Sequence, residues 1–177
     1  MSFLNKVKSL LDRPAAKKSA EEDIQADDPQ KLGATTERRR KKRLNAKEGS
    51  KILIIDDSKT VCSMLKKMML QNNYEVFTAL SAEEGLDIAT KEQPNLIFLD
   101  IVLPEMDGFA ALRKIRKNPL TENTPVMMMS GNHQATEIFY ASRIGADDFL
   151  KKPFSRYELF FRIEKMLDSD RNLIRKK

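Results

Sequence analysis

Residues 51–58 read Lys51-Ile52-Leu53-Ile54-Ile55-Asp56-Asp57-Ser58, a short apolar, β-branched run that stops on two carboxylates. The same design recurs downstream. Leu96-Ile97-Phe98-Leu99 ends on Asp100, and Val126-Met127-Met128-Met129 ends on Ser130. Tyr74-Glu75-Val76-Phe77-Thr78 and Asp148-Phe149-Leu150-Lys151 read as two further strands. Helical spacing fills the gaps. Val61, Met64, Leu65, Met68 and Met69 mark a first helix. The capping box Ser81-Ala82-Glu83-Glu84 opens a second, with Leu86, Ile88 and Ala89 on it. Residues Asp107–Lys117 form a third, with Phe109, Leu112 and Ile115 inward. Residues Gln134–Ile144 form a fourth, stopped by Gly145. A second capping box, Ser155-Arg156-Tyr157-Glu158, opens a last helix to about Leu167. Five strands thus alternate with five helices. Strands this apolar must be covered on both faces, and right-handed crossovers then give an α/β fold with a doubly wound, five-stranded parallel sheet.

Composition narrows the function. The chain has 177 residues, one cysteine and one histidine. It therefore holds no internal disulfide framework, no cysteine-based zinc site and no histidine metal cluster. No apolar run approaches the length of about 20 residues that a membrane span needs, and the first residues lack the core and cleavage site of a secretory signal. There is no Gly-rich phosphate loop with Lys-Ser/Thr and no Gly-x-Ser-x-Gly elbow. These absences predict a soluble, cytoplasmic protein.

Charge divides the chain. Of 32 Lys and Arg, 13 fall in residues 1–50 against 8 acidic residues, whereas residues 51–177 are nearly balanced. The expected domains are a basic, largely disordered extension over 1–50 and a folded domain over 51–170. From Pro14 to Ser50 the extension is too polar to bury a core, and Arg38-Arg39-Arg40-Lys41-Lys42-Arg43 repels itself. Near residues 2–12, Phe3, Leu4, Val7, Leu10 and Leu11 follow helical spacing among lysines. Such an amphipathic helix suits a membrane surface or a partner groove. The plainer reading is a frayed terminus or a helix against its own domain.

Ligands of a doubly wound fold sit off the C-terminal ends of the strands. Here those ends carry Asp56, Asp57, Asp100, Ser130 and Lys151-Lys152-Pro153. Three packed carboxylates shift one another's pKa, and a hard divalent cation such as magnesium relieves the repulsion. A carboxylate can act as a nucleophile and form an aspartyl phosphate. A lysine and a hydroxyl can then hold the phosphoryl oxygens, which is what phosphoryl transfer needs. Asp and Ser also cap helices after strands, as Ser58 is placed to do, but capping does not explain the whole set.

These motifs resemble the receiver domain of bacterial response regulators. The resemblance runs from about Lys51 to Leu167 and rests on Ile54-Ile55-Asp56-Asp57-Ser58, Leu99-Asp100-Ile101-Val102-Leu103-Pro104-Glu105-Met106-Asp107-Gly108, Met129-Ser130-Gly131 and Leu150-Lys151-Lys152-Pro153-Phe154. It implies a flavodoxin-like (βα)5 fold with an N-terminal extension. By the resemblance, Asp100 is the phosphoacceptor, attacking a phosphohistidine on a sensor histidine kinase. Asp56, Asp57, Asp100 and the backbone carbonyl of Val102 hold Mg2+. Ser130 is the switch hydroxyl, Lys152 bridges to phosphoryl oxygens, and Phe149 is the aromatic switch. The implied signalling face is the fourth helix, fifth strand and fifth helix. The protein so read is a phosphoprotein with self-catalysed phosphorylation and dephosphorylation, not an enzyme with turnover on an external substrate.

Some positions depart from the commonest pattern. Gly131 stands where alanine is usual, Leu103 where methionine is frequent, and Phe149 where tyrosine is frequent. Val102 and Asn132 occupy positions that often tune dephosphorylation. An apolar side chain at 102 is poorly suited to position a water, so a long-lived phosphoryl group is expected. Other residues read as ordinary: Cys62, Met64, Met68 and Met69 as helix packing, Met127-Met128-Met129 as core strand, His133 as exposed, and Lys66-Lys67 and Arg113-Lys114 as solvated faces.

The chain ends about ten residues after the last helix, so the expected output is partner binding by a stand-alone receiver. The chemotaxis-like regulators, including those of type IV pilus twitching motility, are the nearest in flavour. Two alternatives compete: a nucleic-acid adaptor using Arg38–Arg43, and a phosphorylation-independent scaffold. The basic run lacks interleaved aromatics and a reader fold, which disfavours nucleic acid. The intact strand-end set argues against a scaffold. The extension is expected to recruit the cytoplasmic protein to the membrane or pole, its basic run adding attraction to an anionic surface.

Overall fold

The structure is a computed structural model that describes residues 43–131 and 135–175. The Phe3–Leu11 segment, most of the basic run, Asn132 and His133 lie outside the described residues. Five strands and five helices alternate: β1 (Lys51–Ile55), α1 (Lys59–Leu70), β2 (Glu75–Ala79), α2 (Ala82–Glu92), β3 (Leu96–Asp100), α3 (Gly108–Lys117), β4 (Val126–Ser130), α4 (Ala135–Arg143), β5 (Asp148–Lys151) and α5 (Arg156–Lys165). The strands form one sheet in the order β2-β1-β3-β4-β5, and every pairing is parallel.

Alternation along the strands splits the core in two. Ile52, Ile54, Leu96, Phe98, Met127, Met129 and Leu150 face Cys62, Leu65 and Met69 of α1 and Leu159, Phe160 and Ile163 of α5. Leu53, Ile55, Ile97, Leu99, Met128 and Phe149 face residues of α2, α3 and α4. Every residue of β3 and β4 is buried, as central strands of a doubly wound sheet require.

Local chemistry sets the helix starts. Ser58, Ser81, Asp107 and Ser155 cap α1, α2, α3 and α5, each side chain accepting a backbone N–H three residues on. The Ser81 box closes one residue early: Glu84 accepts from Leu80 N at 2.9 Å. Glu158 does not close its box but pairs with Arg162 at 3.1 Å. Gly145, at φ +104°, follows α4 in the left-handed conformation expected of a helix stop.

Helix faces differ in detail from the spacing. On α1 the buried residues are Cys62, Leu65 and Met69, while Met64 is exposed. On α2 they are Ala82, Gly85 and Ala89. A Cβ on Gly85 would overlap Ile55 Cδ1, so α2 approaches β1 closely through small residues.

The polar stretch before β1 is not loose throughout. Ala46 is buried, Asn45 Nδ2 donates to Asn72 Oδ1 at 3.1 Å, Gly49 N donates to Asn73 O at 2.8 Å, and Lys47 N to Arg171 O at 3.3 Å. One small apolar residue and backbone hydrogen bonds thus hold a segment whose side chains are mostly polar. Beyond α5, Leu167 and Leu173 form an antiparallel bridge. Arg175 Nε then reaches Asp147 Oδ1 at 3.0 Å, while Arg116 Nη2 of α3 holds Asp147 Oδ2 at 2.7 Å. Among the described residues, no helix is long and apolar enough to cross a membrane.

Candidate functional site

Parallel pairing brings the strand ends together. Asp100 is in register with Met129, and Ser130 with Lys151. The ladder continues past the strands: Asp56 N donates to Ala79 O at 3.1 Å, Ile101 N to Met129 O at 2.9 Å, and Lys152 N to Ser130 O at 2.8 Å. The backbones that carry the polar side chains are therefore fixed by the sheet.

Asp56, Asp57 and Asp100 each place a carboxylate oxygen within 4.8 Å of the others. Asp56 and Asp100 are buried, and Asp57 is exposed. Asp56 Oδ1 accepts from Ser58 N at 3.0 Å. Lys152 Nζ sits between Asp56 Oδ2 at 2.6 Å and Asp100 Oδ2 at 2.9 Å. Ser130 is buried, and its Oγ donates to Glu137 Oε2 of α4 at 3.4 Å. Phe149 is buried in the core beside α3 and α4. Val102 is exposed. The strand-end residues singled out from sequence thus lie at one edge, with Lys152 bridging two carboxylates.

Burial raises the Asp100 carboxyl above the ordinary aspartate range, against the pull of Lys152. Burial also lowers Lys152, but its hydrogen bonds to Asp56 and Asp100 outweigh that and leave the ammonium above the ordinary lysine value. Lys152 thus sits against a carboxyl that burial makes more basic than an ordinary aspartate's. Three carboxylates against one ammonium leave negative charge uncompensated. All the donors are hard oxygens, so the set fits a divalent cation of the magnesium type.

The sequence assigns no functional role to three neighbours of the cluster. A Cβ on Gly108 would overlap the Asp100 backbone carbonyl, so the α3 start is pressed against the acidic residue. The Asp107-Gly108 pair after the Asp100 motif was the available signal. Glu137 meets Ser130 only through the fold. Cys62 Sγ donates to Asp56 O at 3.3 Å, a packing contact beneath the cluster. The Lys152–Pro153 peptide is cis.

The response regulator receiver domain family matches residues 52–164. A relative from Porphyra purpurea, the probable transcriptional regulator ycf27, is 37% identical over 70% of this chain and 49% of its own length. Protein PilG of Pseudomonas aeruginosa is 33% identical over 63% of this chain and 83% of its own. Among solved structures, the receiver domain of the sensor histidine kinase PA1611 from Pseudomonas aeruginosa superposes with a TM-score of 0.60 at 26% identity, over 66% of this chain and 95% of that one. That structure has a magnesium ion coordinated in its active site cleft. The chain belongs to the response regulator receiver domain family. The matched residues are the receiver domain of a two-component response regulator, a signalling domain rather than a classical enzyme. The chain spans about half the length of the transcriptional regulators it matches.

Proposed function

We propose that Asp100 accepts a phosphoryl group from a phosphohistidine of a sensor histidine kinase, and that the phosphorylated receiver binds an output partner. The observation that carries this reading is Lys152 Nζ at 2.6 Å from Asp56 and 2.9 Å from Asp100 within a cluster of three carboxylates. A carboxylate oxygen of Asp100 attacks phosphorus, an O–P bond forms, and the P–N bond breaks with its electron pair returning to the imidazole nitrogen. Lys152 holds its proton and turns from Asp100 toward a phosphoryl oxygen. Ser130 donates its hydroxyl to another, leaving Glu137, and Phe149 adjusts to that movement. Asp56, Asp57, Asp100 and the Val102 carbonyl would hold Mg2+, which supplies charge neutralisation on the phosphoryl oxygens. Val102 offers no polar side chain to position a hydrolytic water, which supports a long-lived phosphoryl group. An unchanged acyl-phosphate lifetime in Val102→Asn would remove that point.

Signalling of the chemotaxis or twitching-motility kind is supported by the sequence resemblance and by PilG, which this chain spans over 83% of its length. We assign the domains as an extension followed by a receiver, with the Phe3–Leu11 segment serving recruitment of a cytoplasmic protein to a membrane surface or partner. Beryllofluoride, a phosphoryl mimic, tests the switch. In 15N NMR spectra with magnesium it should shift the amides of Ser130, Phe149 and α4, and should do nothing in Asp100→Asn. Unchanged spectra in the parent chain would refute the reading.

A further inference from the structure

Burial holds α4 less than any other helix. Of its described side chains, Ala141 alone is buried, whereas α1, α2, α3 and α5 each bury three or four residues. Phe139 and Tyr140 are 66% and 45% exposed. The middle of α4 is tied to α3. Arg113 Nη1 donates to the Tyr140 hydroxyl at 2.7 Å, and the Phe109 and Tyr140 rings meet edge-on at 5.1 Å. Near its start, Glu137 meets Ser130 at 3.4 Å. A helix with so little buried surface opens at a low free-energy cost unless an end is fixed.

The C-terminal end of α4 is fixed by a residue from far along the chain. Arg175 Nη1 donates to Glu122 O at 2.8 Å, its Nε pairs with Asp147 Oδ1 at 3.0 Å, and its Nη2 reaches Gly145 O at 3.5 Å. Arg116 holds the same turn from α3, through Gly145 O at 2.8 Å and Asp147 Oδ2 at 2.7 Å. Glu122 and Arg143 also line the open cleft of about 380 Å³ at this network. Among the described residues, the side chains of these two form no ion pair. Asp147, in the turn that joins α4 to β5, is thus the carboxylate that Arg175 grips.

Arg175 is itself anchored. Met166, Leu167 and Leu173 pack in the core beside α5. Ile174 N donates to Met166 O at 2.9 Å and Asp168 N to Asn172 O at 3.0 Å, around the antiparallel bridge of Leu167 and Leu173. Asp168 Oδ1 closes the turn by accepting from Asp170 N and Asn172 N, both at 2.8 Å. This small hairpin lies beyond the family match, which ends at residue 164, so the family pattern does not account for it. We propose that Met166–Arg175 is a strap that pins the C-terminal end of α4, so that phosphorylation at Asp100 turns the helix about a fixed end. The near end follows Ser130 as its hydroxyl leaves Glu137. The far end stays stapled to the core through Arg175 and the hairpin. The turning motion rests on the phosphoacceptor reading; the pin does not.

The test compares the full chain with Arg175→Ala and Arg175→Lys by 15N NMR. Arg175→Ala leaves Asp147 paired with Arg116, so the variant should fold, and a dispersed spectrum checks this. The first readout is hydrogen exchange without phosphodonor or magnesium. In Arg175→Ala the bonded amides of Ile144, Gly145, Ala146 and Asp147 should quicken about ten-fold more than those of β1 and β3. Arg175→Lys should fall between, because an ammonium can reach Asp147 but cannot fork to Glu122 O and Gly145 O as well. The second readout adds beryllofluoride and magnesium. In the parent chain the amides of Glu137–Tyr140 should shift while those of residues 144–147 hold their positions. In Arg175→Ala the shifts should spread to residues 144–147. Unchanged exchange in Arg175→Ala, an equal rise at all amides, or shifts at 144–147 as large in the parent as in the variant would each overturn the proposal. A parent chain silent to beryllofluoride would instead refute the phosphoacceptor reading, and with it the turning motion, with the exchange rates still deciding the pin.

Discussion

The two ends of the sheet both bury ion pairs, and they balance charge in opposite ways. At the C-terminal end of the strands, Asp56, Asp57 and Asp100 share one ammonium, that of Lys152. At the other end, Asp147 alone faces Arg116 and Arg175. There the surplus cations are satisfied by backbone oxygens. Arg116 Nε donates to Gly145 O and its Nη1 to Thr124 O, both at 2.8 Å, and Arg175 Nη1 donates to Glu122 O at 2.8 Å. Asp147 Oδ2 also accepts from Val126 N at 2.8 Å. The lower network thus ties α3, β4, the start of β5 and the C-terminal segment together. The upper cluster retains negative charge, as a site for a cation and a phosphoryl group requires. Satisfied polar networks rigidify a fold, whereas unbalanced ones mark chemistry.

That contrast can be broken by substitution. The largest effect is expected at the lower end. Asp147→Ala would leave two largely buried guanidiniums without their carboxylate and cost about 3–5 kcal/mol in urea unfolding. A loss under about 1 kcal/mol would mean the network is ornamental. At the upper end, burial, with a further push from Asp56, moves the Cys62 thiol up to about 11. Iodoacetamide at pH 8 should therefore modify folded protein about 100-fold more slowly than unfolded chain. The folded thiol binds its proton more tightly, so its stabilising contribution holds below the ordinary value of 9.0 and is lost as pH rises toward about 11. Rapid alkylation of the folded protein would place Cys62 outside the packed wall.

Two substitutions sharpen the contrast further. Gly108→Ala drives a Cβ into the Asp100 carbonyl and should cost about 1–3 kcal/mol. It should also slow phosphoryl labelling, because the acceptor backbone must move. Unaltered stability and labelling would show that the α3 start yields freely. The smallest effect has the opposite sign. Asp57→Asn removes one of three crowded carboxylates and should stabilise the metal-free protein by about 0.5 kcal/mol, because Asp57 is exposed and screened. Removing a carboxylate thus harms the lower end and relieves the upper one. Destabilisation by Asp57→Asn in metal-free buffer would contradict the unbalanced reading of the cluster.

How much of this was readable in the sequence follows from the range of each interaction. Ile52–Ile55, Leu96–Leu99 and Val126–Met129 are contiguous runs, so strand identity and the residues at their ends could be read directly. The helix caps Ser58, Ser81 and Ser155 lie three residues from their partners and were equally visible. The α1 stripe was harder, because Met64 is as apolar as Met69 but faces outward. Burial there is decided by β1 and β2, not by α1. Residues 43–50 looked like loose chain because their contacts are with Asn72, Asn73 and Arg171, far along the sequence. The Arg116–Asp147–Arg175 network has no local pattern. Lys152 could be placed at the site, but its position between Asp56 and Asp100 needed the fold.

The most direct measurement of the acceptor claim is the intact mass of the full chain after incubation with phosphoramidate and magnesium, beside Asp100→Asn. If Asp100 is the acceptor, the parent chain gains one phosphoryl group, chelation of magnesium prevents the gain, and Asp100→Asn gains none. A parent chain that stays unmodified, or an Asp100→Asn chain that is labelled equally, would contradict it.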